Sequence, residues 1–133
     1  MPFTYYLDNQ LINEAFGGVA YTPPATLYVG LSTTAPAQGG TGITEPSGNG
    51  YARVAVTNNT TNFPNATNGS KSNGTTITFP ASTGSWGTVG YFFVADAASA
   101  GNILAYGTLN NPQTVSSGDT LSFAVGALTI TLN

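Results

Sequence analysis

The strongest constraint in this chain is a recurring period of two. Short apolar–polar alternations follow one another, each cut off by Gly, Asn, Ser or Pro. Leu27, Val29 and Leu31 alternate within Thr26 to Thr33. Ala52, Val54 and Val56 do so within Tyr51 to Thr57, with Arg53 on the other face. Ile77 and Phe79 mark a third run, Thr75 to Phe79. In Trp86 to Ala95, Tyr91 and Phe93 point one way and Phe92 and Val94 the other, which predicts a central strand covered on both faces. Further strands are predicted at Ile103 to Leu109, around Leu121, Phe123 and Val125, and around Leu128, Ile130 and Leu132, with Val115 leading into a Ser-Ser-Gly-Asp turn. Successive strand side chains point to opposite faces, so such alternation marks half-buried sheet. About seven or eight short strands with Gly-rich punctuation predict a mainly β fold, an antiparallel β-sandwich or a jelly-roll-like barrel.

One segment departs from that period. Thr4 is suited to cap a helix, Leu7, Leu11 and Ala15 recur at helical spacing, and Gly17-Gly18 supplies a stop. This predicts one short N-terminal α-helix, marginal alone and in need of a surface to dock on. The chain therefore divides into an N-terminal helical arm, residues 1–20, and a β-sandwich domain, residues 21–133. Two long loops interrupt the domain, 34–50 and 58–74. Each exceeds the roughly 12–15 residues beyond which structureless loops are uncommon, so each is expected to be functional or ordered against a partner. Phe63 in the second loop either anchors a partner or tucks back onto its own sandwich.

Charge narrows the function. Of 133 residues, two are basic, Arg53 and Lys71, and five are acidic: Asp8, Glu14, Glu45, Asp96 and Asp119. Histidine and cysteine are absent. Phosphate backbones are bound by Lys and Arg, so nucleic acid is excluded as a partner. Zinc, haem and iron–sulfur centres lose their usual ligands, and nucleophilic dyads built on His or Cys fall with them. No cofactor is expected. No run approaches the ~20 apolar residues of a membrane span, and Met1 to Gln10 does not read as a Sec-type signal.

The five carboxylates are too dispersed to suggest a catalytic pair, and Asp96 and Asp119 sit where turns use an Asp. The Asn-x-Ser/Thr triplets beginning at Asn58, Asn59, Asn65, Asn68 and Asn73 follow from Asn/Thr-rich loops. Asn49-Gly50, Asn68-Gly69 and Asn73-Gly74 read as turns. Tyr51, Trp86, Tyr91 and Tyr106 are candidates for a carbohydrate platform, but aromatics at strand spacing are more often core or interface. A glycan partner is not favoured. A surface with so little charge has weakly defended sheet edges, which suits a chain covered by neighbours, hence a homo-oligomer. Arg53 and Lys71 are scarce enough to be specific contacts, Arg53 with Glu45 or Asp96 within the chain.

Certain phrases carry a family resemblance. Leu11-Ile12-Asn13-Glu14-Ala15-Phe16-Gly17-Gly18 precedes Tyr21-Thr22-Pro23-Pro24. Leu27-Tyr28-Val29-Gly30-Leu31-Ser32 and Glu45-Pro46-Ser47-Gly48-Asn49-Gly50-Tyr51-Ala52-Arg53 follow. Phe79-Pro80-Ala81, Gly84-Ser85-Trp86-Gly87, Phe93-Val94-Ala95-Asp96 and Ser117-Gly118-Asp119-Thr120 complete the set. Together they resemble small virion structural proteins of tailed bacteriophages, a group that includes capsid decoration (cement) and tail-fibre-like proteins. The resemblance implies a non-enzymatic virion protein assembled in the host bacterial cytoplasm. Its first expectation is a decoration protein that binds the major capsid protein and itself, as a trimer, and stiffens the head. The alternative is a tail, baseplate or tail-fibre component, or a receptor- or glycan-binding module. The residues expected at interfaces are Leu7, Leu11, Phe16, Tyr21, Arg53, Phe63 and Lys71. Through Arg53 the resemblance further implies an anchored 34–50 loop.

Overall fold

The computed structural model describes residues 1–132. One helix, α1 (Tyr5–Ala15), precedes eight strands: β1 (Thr26–Ser32), β2 (Val54–Thr57), β3 (Ser70–Ser72), β4 (Ile77–Thr78), β5 (Gly87–Ala95), β6 (Ile103–Val115), β7 (Ser122–Phe123) and β8 (Thr129–Thr131). All the strand pairings are antiparallel. The strands form one four-stranded sheet, ordered β2-β1-β5-β6, and two ribbons, β3-β8 and β4-β7. The sheet is open, so the architecture is layered and sandwich-like, without barrel closure.

The alternation sets the core. Leu27, Val29 and Leu31 of β1 lie on the same face as Val56 and Val54 of β2 and Val94 and Phe92 of β5, with which they pair. That face packs against Ile77, Phe79, Phe63, Leu128 and Trp86 from the ribbons and connecting segments. β5 is central, as its two-sided pattern requires, and Phe92 and Phe93 are both buried. Two glycines make this fit. A Cβ on Gly30 would stand 2.2 Å from the Phe93 ring, and one on Gly107 would stand 2.5 Å from the Phe92 ring. Each glycine pairs across the ladder with the phenylalanine that lies over it.

Four boundaries differ from the alternation. β2 starts at Val54, because Tyr51 turns its ring into the core against Phe79 and Trp86. β6 does not stop at Leu109 but resumes to Val115 after an irregularity. Val125 is exposed, and β7 is limited to Ser122–Phe123. Loop 58–74 contains β3, which the polar sequence did not suggest. Asn68 and Gly69, with φ of 53° and 75°, make a two-residue hairpin turn closed by reciprocal bonds between Thr67 and Ser70. Asn73-Gly74 is no surface turn. The buried Asn73 amide donates to the carbonyls of Thr75 and Ala124 and accepts from Leu128 N.

Candidate functional site

The N-terminal segment first continues the sheet. Thr4 N donates to Leu104 O and Tyr106 N to Pro2 O, which covers part of the β6 edge. Thr4 then caps α1, accepting from Leu7 N at 3.5 Å, while its hydroxyl donates to Ile103 O at 2.5 Å. Tyr5 N donates to Gln38 O, so the first turn is also tied to loop 34–50. These bonds fix where the helix lies.

What the helix leaves uncovered is the main feature of the surface. None of its residues is buried. Leu7 and Leu11 are half-buried against the body. Ile12 and the C-cap residue Phe16, four apart, are 58% and 81% exposed, and Val19 beyond the helix is exposed too. Leu132, after β8, stands beside them, and with Asp8, Leu11, Ile12, Ala15 and Phe16 it lines a groove of about 410 Å³. A surface helix ordinarily turns its apolar stripe to the core. Here apolar side chains of the helix face outward, together with Leu132, as at docking surfaces. Of Leu7, Leu11 and Ala15, which recur at helical spacing, the first two are half-buried, whereas Ala15 is exposed and lines the groove with Ile12 and Phe16. The outer pair, Ile12 and Phe16, stands at a spacing of four, but its partner Leu132 is more than a hundred residues away in the chain.

Tyr21 is half-buried close by. Burial pushes its phenol pKa up, and its neighbours Tyr6, Asp96 and Glu14 add to that. Its backbone N–H donates to Glu14 Oε1 at 3.4 Å.

A second cluster surrounds Arg53. Its guanidinium makes two bonds to the Glu45 carboxylate, Nε to Oε1 and Nη2 to Oε2, both 3.0 Å. Nη1 donates to Ala97 O (2.7 Å) and Ala100 O (2.9 Å), and the cation lies 5.0 Å from the centre of the Phe93 ring. Tyr51 Oη donates to Glu45 Oε1 at 2.6 Å and accepts from Leu31 N. The Arg53 and Glu45 side chains are 6% and 27% exposed. Of the two acidic partners expected for Arg53, Glu45 is the one. Asp96 instead accepts from the backbone and side chain of Asn102 and closes the turn that Arg53 also holds. Among the described residues this is the one ion pair, so it acts as an internal bolt between loop 34–50, the 96–102 turn and the sheet.

The other expected contacts are scattered. Phe63 is buried in the core, which is the inward reading of that loop. Lys71 lies on β3 opposite Ile130, with no carboxylate partner among the described residues. The aromatic platform does not form. Trp86 is buried with Tyr51 and donates to Asn49 O, whereas Tyr91 and Tyr106 stand on the opposite face of the sheet with Phe93. Asp119 accepts from Ser116 N within its turn, and Ser82 Oγ donates to the Ser116 and Asp119 carbonyls beside it.

The site is thus an exposed apolar face on a β scaffold held together by the Arg53–Glu45 cluster. Among known families, the model described as Podophage GP4 fiber I protein gp80 matches residues 2–131. No curated protein matches the chain.

Proposed function

Because the chain belongs to this podophage fibre family, we propose that it serves as a non-enzymatic component of the tail fibre apparatus and docks through the outward face of α1. It is a phage structural protein and a part of the virion, assembled in the host cytoplasm. The family description names a fibre. That favours the tail alternative raised by the resemblance over decoration of the head through the major capsid protein.

The observation that carries the docking mode is the pairing of Ile12 and Phe16 with Leu132 around one groove. The partner at this face is a second copy of the chain. Asp8 lies on the same helix face as the apolar stripe, four residues before Ile12, and lines the groove. Lys71 faces the same way as Ile130, its neighbour across the β3-β8 ladder, two residues from Leu132. One copy therefore offers a carboxylate, and the other a cation with no carboxylate partner among the described residues, beside matching apolar surfaces. Stable association buries roughly 800 Å² per partner, to which the stripe contributes the apolar centre.

Sedimentation of the purified chain tests this. The expected result is an oligomer that falls to monomer in Ile12→Ser/Phe16→Ser, with the unfolding temperature of the isolated subunit preserved. A wild type that stays monomeric at high concentration, or an oligomer indifferent to the substitutions, contradicts the docking mode.

A further inference from the structure

The longest strand contains a break that the core does not require. Along β5 and β6 the pairing passes from Val89↔Gln113 to Tyr91↔Thr108. Gly90 alone therefore opposes Leu109, Asn110, Asn111 and Pro112. Asn and Pro are poor strand formers, and Pro removes a ladder donor. Bulges recur where a sheet re-aims side chains next to a functional site. This bulge walls a cleft of about 460 Å³, faced on the other side by Thr120 to Phe123 and floored by Leu31 and Phe92.

We infer that the cleft is a binding site for a neutral carbohydrate. Its polar lining is Thr108, Asn110, Asn111, Gln113, Thr120 and Ser122, and no charged side chain lines it. Amides and hydroxyls combine donors and acceptors, which matches a ligand made of hydroxyl groups, and the lining holds no cation to pair with an anionic one. Phe123, half-buried and packed edge-on against Phe92, supplies apolar surface for the C–H face of a sugar ring. The volume falls within the range of small-ligand sites. Among the described residues the side-chain amides of Asn110 and Asn111 have no protein partner, and Gln113 Nε2 reaches Asn111 O at 3.1 Å. β6 is the edge strand of the sheet, and a peptide would be read chiefly by adding to its free backbone edge, whereas the cleft lies over the sheet face at Leu31 and Phe92 and presents side-chain amides. The inference is independent of where on the particle the chain sits and of what covers α1.

The test is an NMR titration of the full-length chain, following the side-chain amide signals of Asn110, Asn111 and Gln113. Neutral probes are maltohexaose, cellohexaose and chitohexaose acetylated at nitrogen. Controls are sialyllactose and a neutral Gly-Ser-Asn peptide, all taken to millimolar concentration. The expected result is a saturable shift of these signals with a neutral oligosaccharide. Asn110→Ala/Asn111→Ala, exposed and outside the core, weakens that binding about tenfold or more with unchanged thermal unfolding. The inference is overturned if no neutral probe moves the signals, if the double variant binds equally well, or if only sialyllactose or the peptide binds there.

Discussion

Arg53 makes four hydrogen bonds and one cation–π contact from a nearly buried position. The guanidinium is planar and offers several donors at fixed angles, which is why it can grip a carboxylate bidentately and two carbonyls at once. Arg53→Ala leaves Glu45 without its cation, with only the Tyr51 hydroxyl donating to it, and two carbonyls without their side-chain donor. Discounted for the partial exposure of Glu45, the expected cost is about 2–3 kcal/mol, measured by urea unfolding. Amide exchange should rise in both loop 34–50 and the 96–102 turn. Arg53→Lys should recover less than half of the loss, because an ammonium cannot reproduce the fork. Tyr51 adds a pH signature. Burial first, then its bond to Glu45, pushes its phenol pKa well above the ordinary 10.0. The raised value means the fold favours the neutral phenol. Its stabilising contribution is whole below pH 10 and declines as pH rises past that point, where the unfolded chain ionises first. Tyr51→Phe should flatten this alkaline loss of stability, apart from the part that belongs to Tyr21.

The elements depend on close approaches between neighbouring strands. Phe93 lies over Gly30 on one face of the sheet and Phe92 over Gly107 on the other. Gly30→Ala should cost about 1–3 kcal/mol or more by overpacking. Gly30→Ala/Phe93→Leu should be less destabilised than the sum of its single variants; strict additivity would show that the two side chains do not compete for one space. Much of this level was legible. Period two located β1, β5 and the core residues Val29, Leu31, Ile77 and Phe79, and Thr4 was recognisable as a cap. β3 was not, because Ser70, Lys71 and Ser72 carry no apolar pattern and are held by a ladder to β8, distant in sequence. The β6 bulge was equally hidden. Asn110, Asn111 and Pro112 read as the end of a strand, and only the renewed pairing of Gln113 and Thr114 with β5 makes them an interruption.

The whole molecule has a formal net charge of −3 from seven charged side chains, two of which are consumed in one internal pair. The scarcity of charge was plain in the sequence, and it pointed to a covered surface. Which surface was not, because Leu132 meets α1 only in three dimensions. With its apolar centre, the contact at α1 should be nearly insensitive to salt, since few exposed charges are left to screen. Sedimentation in low and in molar salt should give the same oligomer, and dissociation by moderate salt alone would mean that charge, not the apolar stripe, holds it. The resemblance that brought head decoration to the fore rested on phrases shared among structural proteins, whereas the family match over 2–131 points to a fibre. Cryo-EM of the intact particle tests that placement most directly. The account predicts density for this fold on the tail, with Ile12 and Phe16 buried against a neighbouring copy. Density on the head lattice, repeating with the major capsid protein, would contradict it.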